Sequence, residues 1–220
     1  MDVKNVFLNG DLEEEVYMRP PPGYAHSPNQ VCLLGRALYG LKQAPRAWFA
    51  KFSSTIAKFG FTSSSHDSAL FTRHTDRDIV LLLLYVDDMI VTGDDSTRIS
   101  ELKDYLRRHF EMKYLGLLSY FLGLEVTSTS NGYYLSQAKY ASDLISRSMI
   151  TDAVIASTPF DVNVNLTSFD DTLLPDPTVY RQLVGSLVYL TVSRPDIAYV
   201  VHIMSQFMGA PRTAHFTVVL

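Results

Sequence analysis

Hydrophobic and polar positions along this chain change period several times, and each change marks an element. Val3 to Leu8 is a short apolar run closed by Asn9-Gly10 and the acids Asp11, Glu13, Glu14 and Glu15, which reads as a strand fragment and a turn. Pro20-Pro21-Pro22-Gly23 breaks any regular element, and a loop-rich stretch follows to about Gly40. Pro45 fits the first turn of a helix running to about Gly60. Trp48, Phe52, Ile56 and Phe59 recur within it at spacings of four, four and three, one stripe that should face the core, with Lys51 and Lys58 off it. Ile79–Val86 and Met89–Val91 are strongly apolar runs flanking Asp87-Asp88, with Thr92-Gly93 closing the unit, so a hairpin is expected around that polar centre. Ile99, Leu102, Leu106 and Phe110 mark an amphipathic helix that Asp95 or Ser96 can cap. Tyr120–Val126 and Gly132–Gln137 form a second expected hairpin, turning at Asn131-Gly132.

The remainder has a helical period. Tyr140, Leu144 and Met149 suggest one helix, Tyr180, Leu183, Leu187 and Leu190 another, and Ile197, Val200, Met204 and Met208 a third. Pro159 to Pro177, rich in Asp, Asn, Thr and Pro, reads as a polar linker and the best internal boundary.

Composition narrows the chemistry. With 220 residues and 47% hydrophobic content the chain can bury a core in one or two domains. A single cysteine, Cys32, excludes an intrachain disulfide and a cysteine zinc site, and the histidines at 26, 66, 74, 109, 202 and 215 lack paired ligand spacing. Metal chemistry would therefore be carboxylate chemistry, pointing to magnesium or calcium. The longest apolar run, Ile79–Val86, is far short of the ~20 residues of a membrane helix, and the acid-rich start is unlike a signal peptide. The expectation is a soluble intracellular protein with no membrane partner. A net charge of −4 does not advertise a nucleic-acid binder, yet Leu33 to His66 carries Arg36, Lys42, Arg46, Lys51 and Lys58 and no acid. That run is either a solvated face or a phosphate-binding one.

Asp87 and Asp88 sit between two greasy runs. Like charges a few ångströms apart raise each other's pKa, a conflict that a divalent cation removes, although aspartates are also ordinary turn residues. Asp2 opens the first apolar run with no basic residue before it.

Five blocks resemble one family in order. Asp2-Val-Lys-Asn-Val-Phe-Leu-Asn-Gly-Asp-Leu-Glu-Glu-Glu-Val-Tyr-Met18 is similar to the first polymerase motif of copia-type retrotransposon reverse transcriptases, and Leu38-Tyr-Gly-Leu-Lys-Gln-Ala-Pro-Arg-Ala-Trp48 to the second. Tyr85-Val-Asp-Asp88 resembles the catalytic hairpin of reverse transcriptases generally. Tyr120-Phe-Leu-Gly-Leu-Glu-Val126 resembles the primer-grip hairpin. Tyr180-Arg-Gln-Leu-Val-Gly-Ser-Leu-Val-Tyr-Leu-Thr-Val-Ser-Arg-Pro-Asp196 resembles the thumb-like region, so the likeness runs through essentially the whole chain.

The resemblance implies an α+β right-hand polymerase: a palm on an antiparallel sheet with helices on one face, then a helical thumb. Residues 1–137 would be a partial palm, with a fingers remnant at about 16–40 and the primer grip at 120–137; residues 138–220 would be thumb-like, with the linker at 159–177. The implied activity is RNA-directed DNA polymerisation, adding deoxynucleoside triphosphates to a primer on an RNA or DNA template in a cytoplasmic virus-like particle. Asp2 and Asp87 would ligate two Mg²⁺ ions, or Mn²⁺, with Asp88 supporting them; two ions about 3.5–4 Å apart stabilise both the attacking and the leaving oxygen.

Phe7 matches the steric gate against a 2′-hydroxyl, and Gln43 the residue beside the incoming nucleotide. Lys42 and Arg46 would meet template or primer phosphates, and Phe121, Leu122 and Gly123 would form the primer grip. Val6 stands where the family usually has alanine, which would add bulk beside the gate. A fingers segment and an RNase H domain would lie outside these residues, so Asp2 would lack strand support and the chain would be weak or inactive alone. The alternative is a non-catalytic remnant that binds nucleic acid through residues 36–58 and the thumb.

Overall fold

Strict alternation along Ile79–Tyr85 buries Val80, Leu82 and Leu84 and leaves the residues between them partly exposed, so one side of this strand faces a core. The computed structural model describes residues 1–74, 78–148 and 166–219 and divides the chain into two units, Met1–Leu117 and Leu118–Leu220. The first unit runs β1 (Asp2–Val3), β2 (Asp11–Met18), β3 (Cys32–Arg36), α1 (Ala44–Lys58), β4 (Thr62–Ser63), β5 (Leu70–His74), β6 (Ile79–Tyr85), β7 (Asp88–Gly93), α2 (Ser96–His109) and β8 (Met112–Lys113). Its main sheet is antiparallel with strand order β4-β5-β6-β7-β1-β8, and β2 and β3 form a separate ribbon. Trp48, Phe52 and Ile56 of α1 and Leu102 and Leu106 of α2 enter the same core as Val80, Leu82, Leu84 and Met89. The stripes read from the sequence explain both helices, and Asp95 caps α2 by accepting from the Arg98 N–H at 2.9 Å.

The first apolar run departs from the strand expected over Val3–Leu8. Only Asp2–Val3 is strand; Asn5 turns left-handed at φ 50°, and Val6–Asn9 forms a 3₁₀ turn closed by Leu8 N–H on the Asn5 carbonyl and Gly10 N–H on that of Phe7. Asparagine tolerates this conformation better than most residues, so a local bend overrides apolar strand propensity.

The second unit contains β9 (Tyr120–Phe121), β10 (Leu124–Thr129), β11 (Gly132–Ser136), α3 (Ala138–Arg147), α4 (Thr178–Leu190), α5 (Ala198–Ser205) and α6 (Thr213–Val219). The 120–137 hairpins thus belong with these helices, the unit boundary falling ahead of them rather than after Gln137. Tyr120–Val126 is two strands, not one, because the chain reverses at Leu122-Gly123 with Phe121 paired to Leu124; the next turn is Ser130-Asn131, closed by Thr129 against Gly132. Met149 and the first part of the 159–177 linker lie outside the described residues. The remainder of that segment is no free tether. Leu166 and Leu174 pack on the cluster of Tyr180, Val184, Met204 and Phe207, and buried His215 accepts from Arg212 N–H at 3.1 Å and donates to the Thr167 carbonyl at 3.0 Å. A polar sequence packs there because its backbone oxygens find partners: Arg212 also donates to the carbonyls of Ser168 and Asp171.

Among the described residues the fold is thus mixed α/β with antiparallel sheets and six helices, none long and apolar enough to cross a membrane.

Tyr180 gives a pH test of this second core. Its hydroxyl donates to the Met204 carbonyl at 2.8 Å, and burial pushes the phenol from its ordinary 10.0 up to about 12. The folded state holds the proton more tightly than the unfolded one, so this contribution is complete below pH about 10 and is lost as pH rises through about 12. Tyr180→Phe is expected to remove that alkaline sensitivity while costing about 1–2 kcal/mol near neutral pH, where the Met204 carbonyl loses its donor. Urea titrations of the whole chain at about pH 8 and about pH 11 check both.

Candidate active site

β6 and β7 close with Tyr85 opposite Asp88, so the turn residues are Val86 and Asp87, one position earlier than the expected Asp87-Asp88 centre, and Asp88 opens β7. Val86 takes φ 53°, an outlier for a β-branched residue, and its carbonyl accepts the Trp48 indole N–H at 2.8 Å. That bond comes from a distant helix, which is why the turn position was not legible locally.

β1 lies between β7 and β8. Asp2 is the register partner of Asp88 on one side and of Lys113 on the other. The Met1 amino group donates to the Met89 carbonyl at 2.9 Å, Met89 N–H returns to the Met1 carbonyl at 2.8 Å, and Val3 N–H donates to the Asp87 carbonyl at 2.9 Å. The expectation that Asp2 lacks strand support is therefore corrected: neighbours on both sides hold its backbone. Val3 and Met89 enter the core, so by the two-residue period of a strand Asp2 and Asp88 share the opposite side.

Their charges feel one another. Burial, then the charges of Asp87 and Asp2, hold the Asp88 carboxyl above its usual range, with the Met1 amino group pulling the other way. Among the described residues no three His, Cys, Asp or Glu side chains close into a ready metal cage. The donors are nonetheless of the right class: hard carboxylate oxygens on one strand pair, of the kind that hold Mg²⁺ through one or two carboxylates while a substrate's phosphates supply further ligands.

Phe7 sits on the 3₁₀ turn, not on a strand, and is half-buried with its ring edge-to-face on Tyr39 at 4.7 Å. Val6 is fully buried in the core. Its bulk is therefore absorbed inside, which corrects the expected crowding of the gate. Tyr39, 59% exposed beside Gly40 at φ 90°, stands in the second motif block with no expected role, and only the fold brings its ring to Phe7. Gly10 lets this turn touch α1, since a Cβ there would stand 2.8 Å from the Trp48 backbone nitrogen.

Gln43 immediately precedes α1, and Lys42 and Arg46 are exposed at the same end. Lys51 is not a free cation of the basic run: its ammonium pairs with Asp11 of β2 at 2.7 Å. In the second unit Leu122 and Gly123 form the hairpin tip at φ 51° and 86°, Phe121 leads into it, and the Tyr189 hydroxyl of α4 donates to the Leu122 carbonyl. Asp2, Asp87, Asp88, Phe7, Gln43, Lys42 and Arg46 thus belong to the first unit, and Phe121, Leu122 and Gly123 to the second.

The family profile described as reverse transcriptase (RNA-dependent DNA polymerase) matches residues 1–162. The chain is 42% identical over 218 residues to the retrovirus-related Pol polyprotein from transposon RE2 of Arabidopsis thaliana, covering 98% of the chain and 15% of that protein. It is 38% identical over 231 residues to the Pol polyprotein from transposon TNT 1-94 of Nicotiana tabacum, covering 100% of the chain and 17% of that protein. A Ty5-1 transposon protein of Saccharomyces cerevisiae is 34% identical over 219 residues, 98% of the chain and 71% of that protein. The chain therefore spans a small part of the polyproteins it matches. No solved structure matches it.

Proposed function

Because the chain belongs to the reverse transcriptase (RNA-dependent DNA polymerase) family, in the copia-type transposon branch, we propose that it carries the carboxylates of an RNA-directed DNA polymerase, adding deoxynucleoside triphosphates to a primer 3′-hydroxyl. The single observation that carries the assignment of the site is the pairing of Asp2 with Asp88 across adjacent strands, with Asp87 in the turn beside them. On this reading Asp2 and Asp87 hold two divalent ions, Mg²⁺ first or Mn²⁺, and Asp88 supports them. When bound, such ions stabilise the attacking and leaving oxygens of an in-line displacement.

The chain's own residues position the reactants. Phe7, backed by Tyr39, walls the sugar side of the nucleotide, and Gln43 offers both a donor and an acceptor beside it. Lys42 and Arg46 face template or primer phosphates. Phe121, Leu122 and Gly123, with Tyr189 holding the tip, form the primer grip. The chain spans 15% of the RE2 polyprotein, so contacts to nucleotide and template from the remainder of such a protein would strengthen its activity.

Mg²⁺-dependent dNTP incorporation on a primed RNA template tests this, comparing the chain alone with the chain joined to the upstream polymerase segment of an RE2-type polyprotein. Incorporation by the joined protein, with a weaker signal from the chain alone, is the expected result. Salt-sensitive binding of primed template with no incorporation by either protein would sink the polymerase reading and favour the non-catalytic binder, for which exposed Lys42 and Arg46 are the supporting feature.

A further inference from the structure

Trp48 is 2% exposed, as its apolar stripe requires, but the stripe does not explain where its N–H goes. A buried indole donor needs an acceptor, and this one uses the Val86 carbonyl at the hairpin tip. Val86 is a poor residue for that place. It is β-branched, left-handed at φ 53° and 45% exposed, so neither its backbone preference nor burial of its side chain accounts for the turn.

The two peptides flanking Asp87 are both held from outside the hairpin. The Val86 carbonyl and the Asp87 N–H share one planar peptide, fixed by Trp48 of α1. The Asp87 carbonyl belongs to the next peptide, fixed by the Val3 N–H of β1, the strand that carries Asp2. The indole is itself braced. Phe110 meets it edge-on at 5.1 Å, Phe52 lies at 5.4 Å, and Gly10 touches its backbone nitrogen closely enough to exclude any side chain.

Resting on the polymerase reading above, we propose that Trp48 is a positioning residue of the carboxylate site: its N–H pins the strained Val86 peptide and thereby sets the direction from which Asp87 leaves the backbone. A misplacement of about 1 Å at reacting groups can cost ~100-fold in rate, so this contact acts on turnover and not on primer–template affinity.

The test is Trp48→Phe, which keeps an aromatic ring and removes the N–H, in the polymerase-competent protein. Its kcat is expected to fall about 10- to 100-fold with the primer–template KM nearly unchanged, and half-saturating Mg²⁺ to rise. Ile56→Val, a change in the same core two turns along α1 from the indole, should lower the melting temperature without that fall. Val86→Gly in the Trp48→Phe background should restore most of the lost kcat, because glycine adopts the left-handed turn without a clamp.

A readout free of activity comes from Trp48 being the only tryptophan of the chain, so the nuclear magnetic resonance spectrum holds one indole N–H signal. That proton should exchange slowly, and the Asp87 and Asp88 amide signals should move in Trp48→Phe. An unchanged kcat, an equal kcat loss in Ile56→Val, or absence of rescue overturns the proposal. A wild-type protein that incorporates nothing sinks the polymerase reading; the clamp is then decided by the signals, a fast-exchanging indole or unmoved Asp87 and Asp88 amides sinking it too.

Discussion

Asp87→Asn is expected to lower the kcat of Mg²⁺-dependent primer extension by about 10³-fold or more, while residues 1–117 stay folded. On the proposed reading the size follows from removing one charged metal donor: bound ions would supply several kcal/mol of transition-state charge stabilisation, and ~4 kcal/mol corresponds to about three decades in rate. Folding is spared because Asp87 is exposed in a turn whose backbone bonds, to Trp48 and Val3, do not involve its carboxylate. Asp2→Asn gives a comparable loss. Asp88→Asn separates function from stability, since the Asp88 carboxyl is held above its usual range by burial and by Asp87 and Asp2. Removing its charge relieves that conflict and raises the melting temperature even as turnover falls. Steady-state kinetics beside thermal melts read both; an Asp87→Asn protein that still extends primers at the wild-type rate would remove Asp87 from the reaction.

Phe7→Ala erodes the choice of sugar. Discrimination between dNTP and rNTP, as the ratio of their kcat/KM values, is expected to fall about 10- to 100-fold, chiefly through faster ribonucleotide use. Apolar burial cannot by itself reject a substrate that only adds a hydroxyl, so rejection must come from a wall that clashes with it. On the proposed reading that wall is Phe7, a half-buried ring on a 3₁₀ turn, steadied by the edge of Tyr39. Tyr39→Ala should therefore relax the ratio by a smaller factor, about threefold to tenfold, and Tyr39→Phe should leave it nearly unchanged because the ring contact survives. Phe7→Ala also removes partial packing against the first core, at about 1–2 kcal/mol. An rNTP/dNTP ratio unmoved by Phe7→Ala, measured with both nucleotides on one template, would assign the ring to packing alone.

The periods legible in the sequence were those that local geometry imposes. A 3.6-residue stripe put Trp48, Phe52 and Ile56 on one face of α1, and a two-residue alternation made β6 a strand buried on one side. Asp95 announced its helix by itself because a cap acts within one turn. The order of the motif blocks identified the family before any coordinate was known. Long-range contacts decided the rest. Trp48 and Val86 are 38 residues apart, and Tyr189 and Leu122 are 67 apart; each pair is an aromatic donor holding the carbonyl of a non-glycine residue at positive φ. A hairpin's turn is chosen by such outside partners as well as by its own residues, so the tip fell at Val86-Asp87 and Tyr120–Val126 split in two. Likewise Val6 looked like a neighbour of the gate and is a core residue, because the bend at Asn5 aims consecutive side chains in different directions. The chain alone determined α1, α2 and the paired strands β6 and β7, and what chemistry its carboxylates suit. The pairing of Asp2 with Asp88, and the bonds that hold the turn at Asp87, depended on strand order and on hydrogen bonds between segments far apart in sequence, which no local pattern encodes.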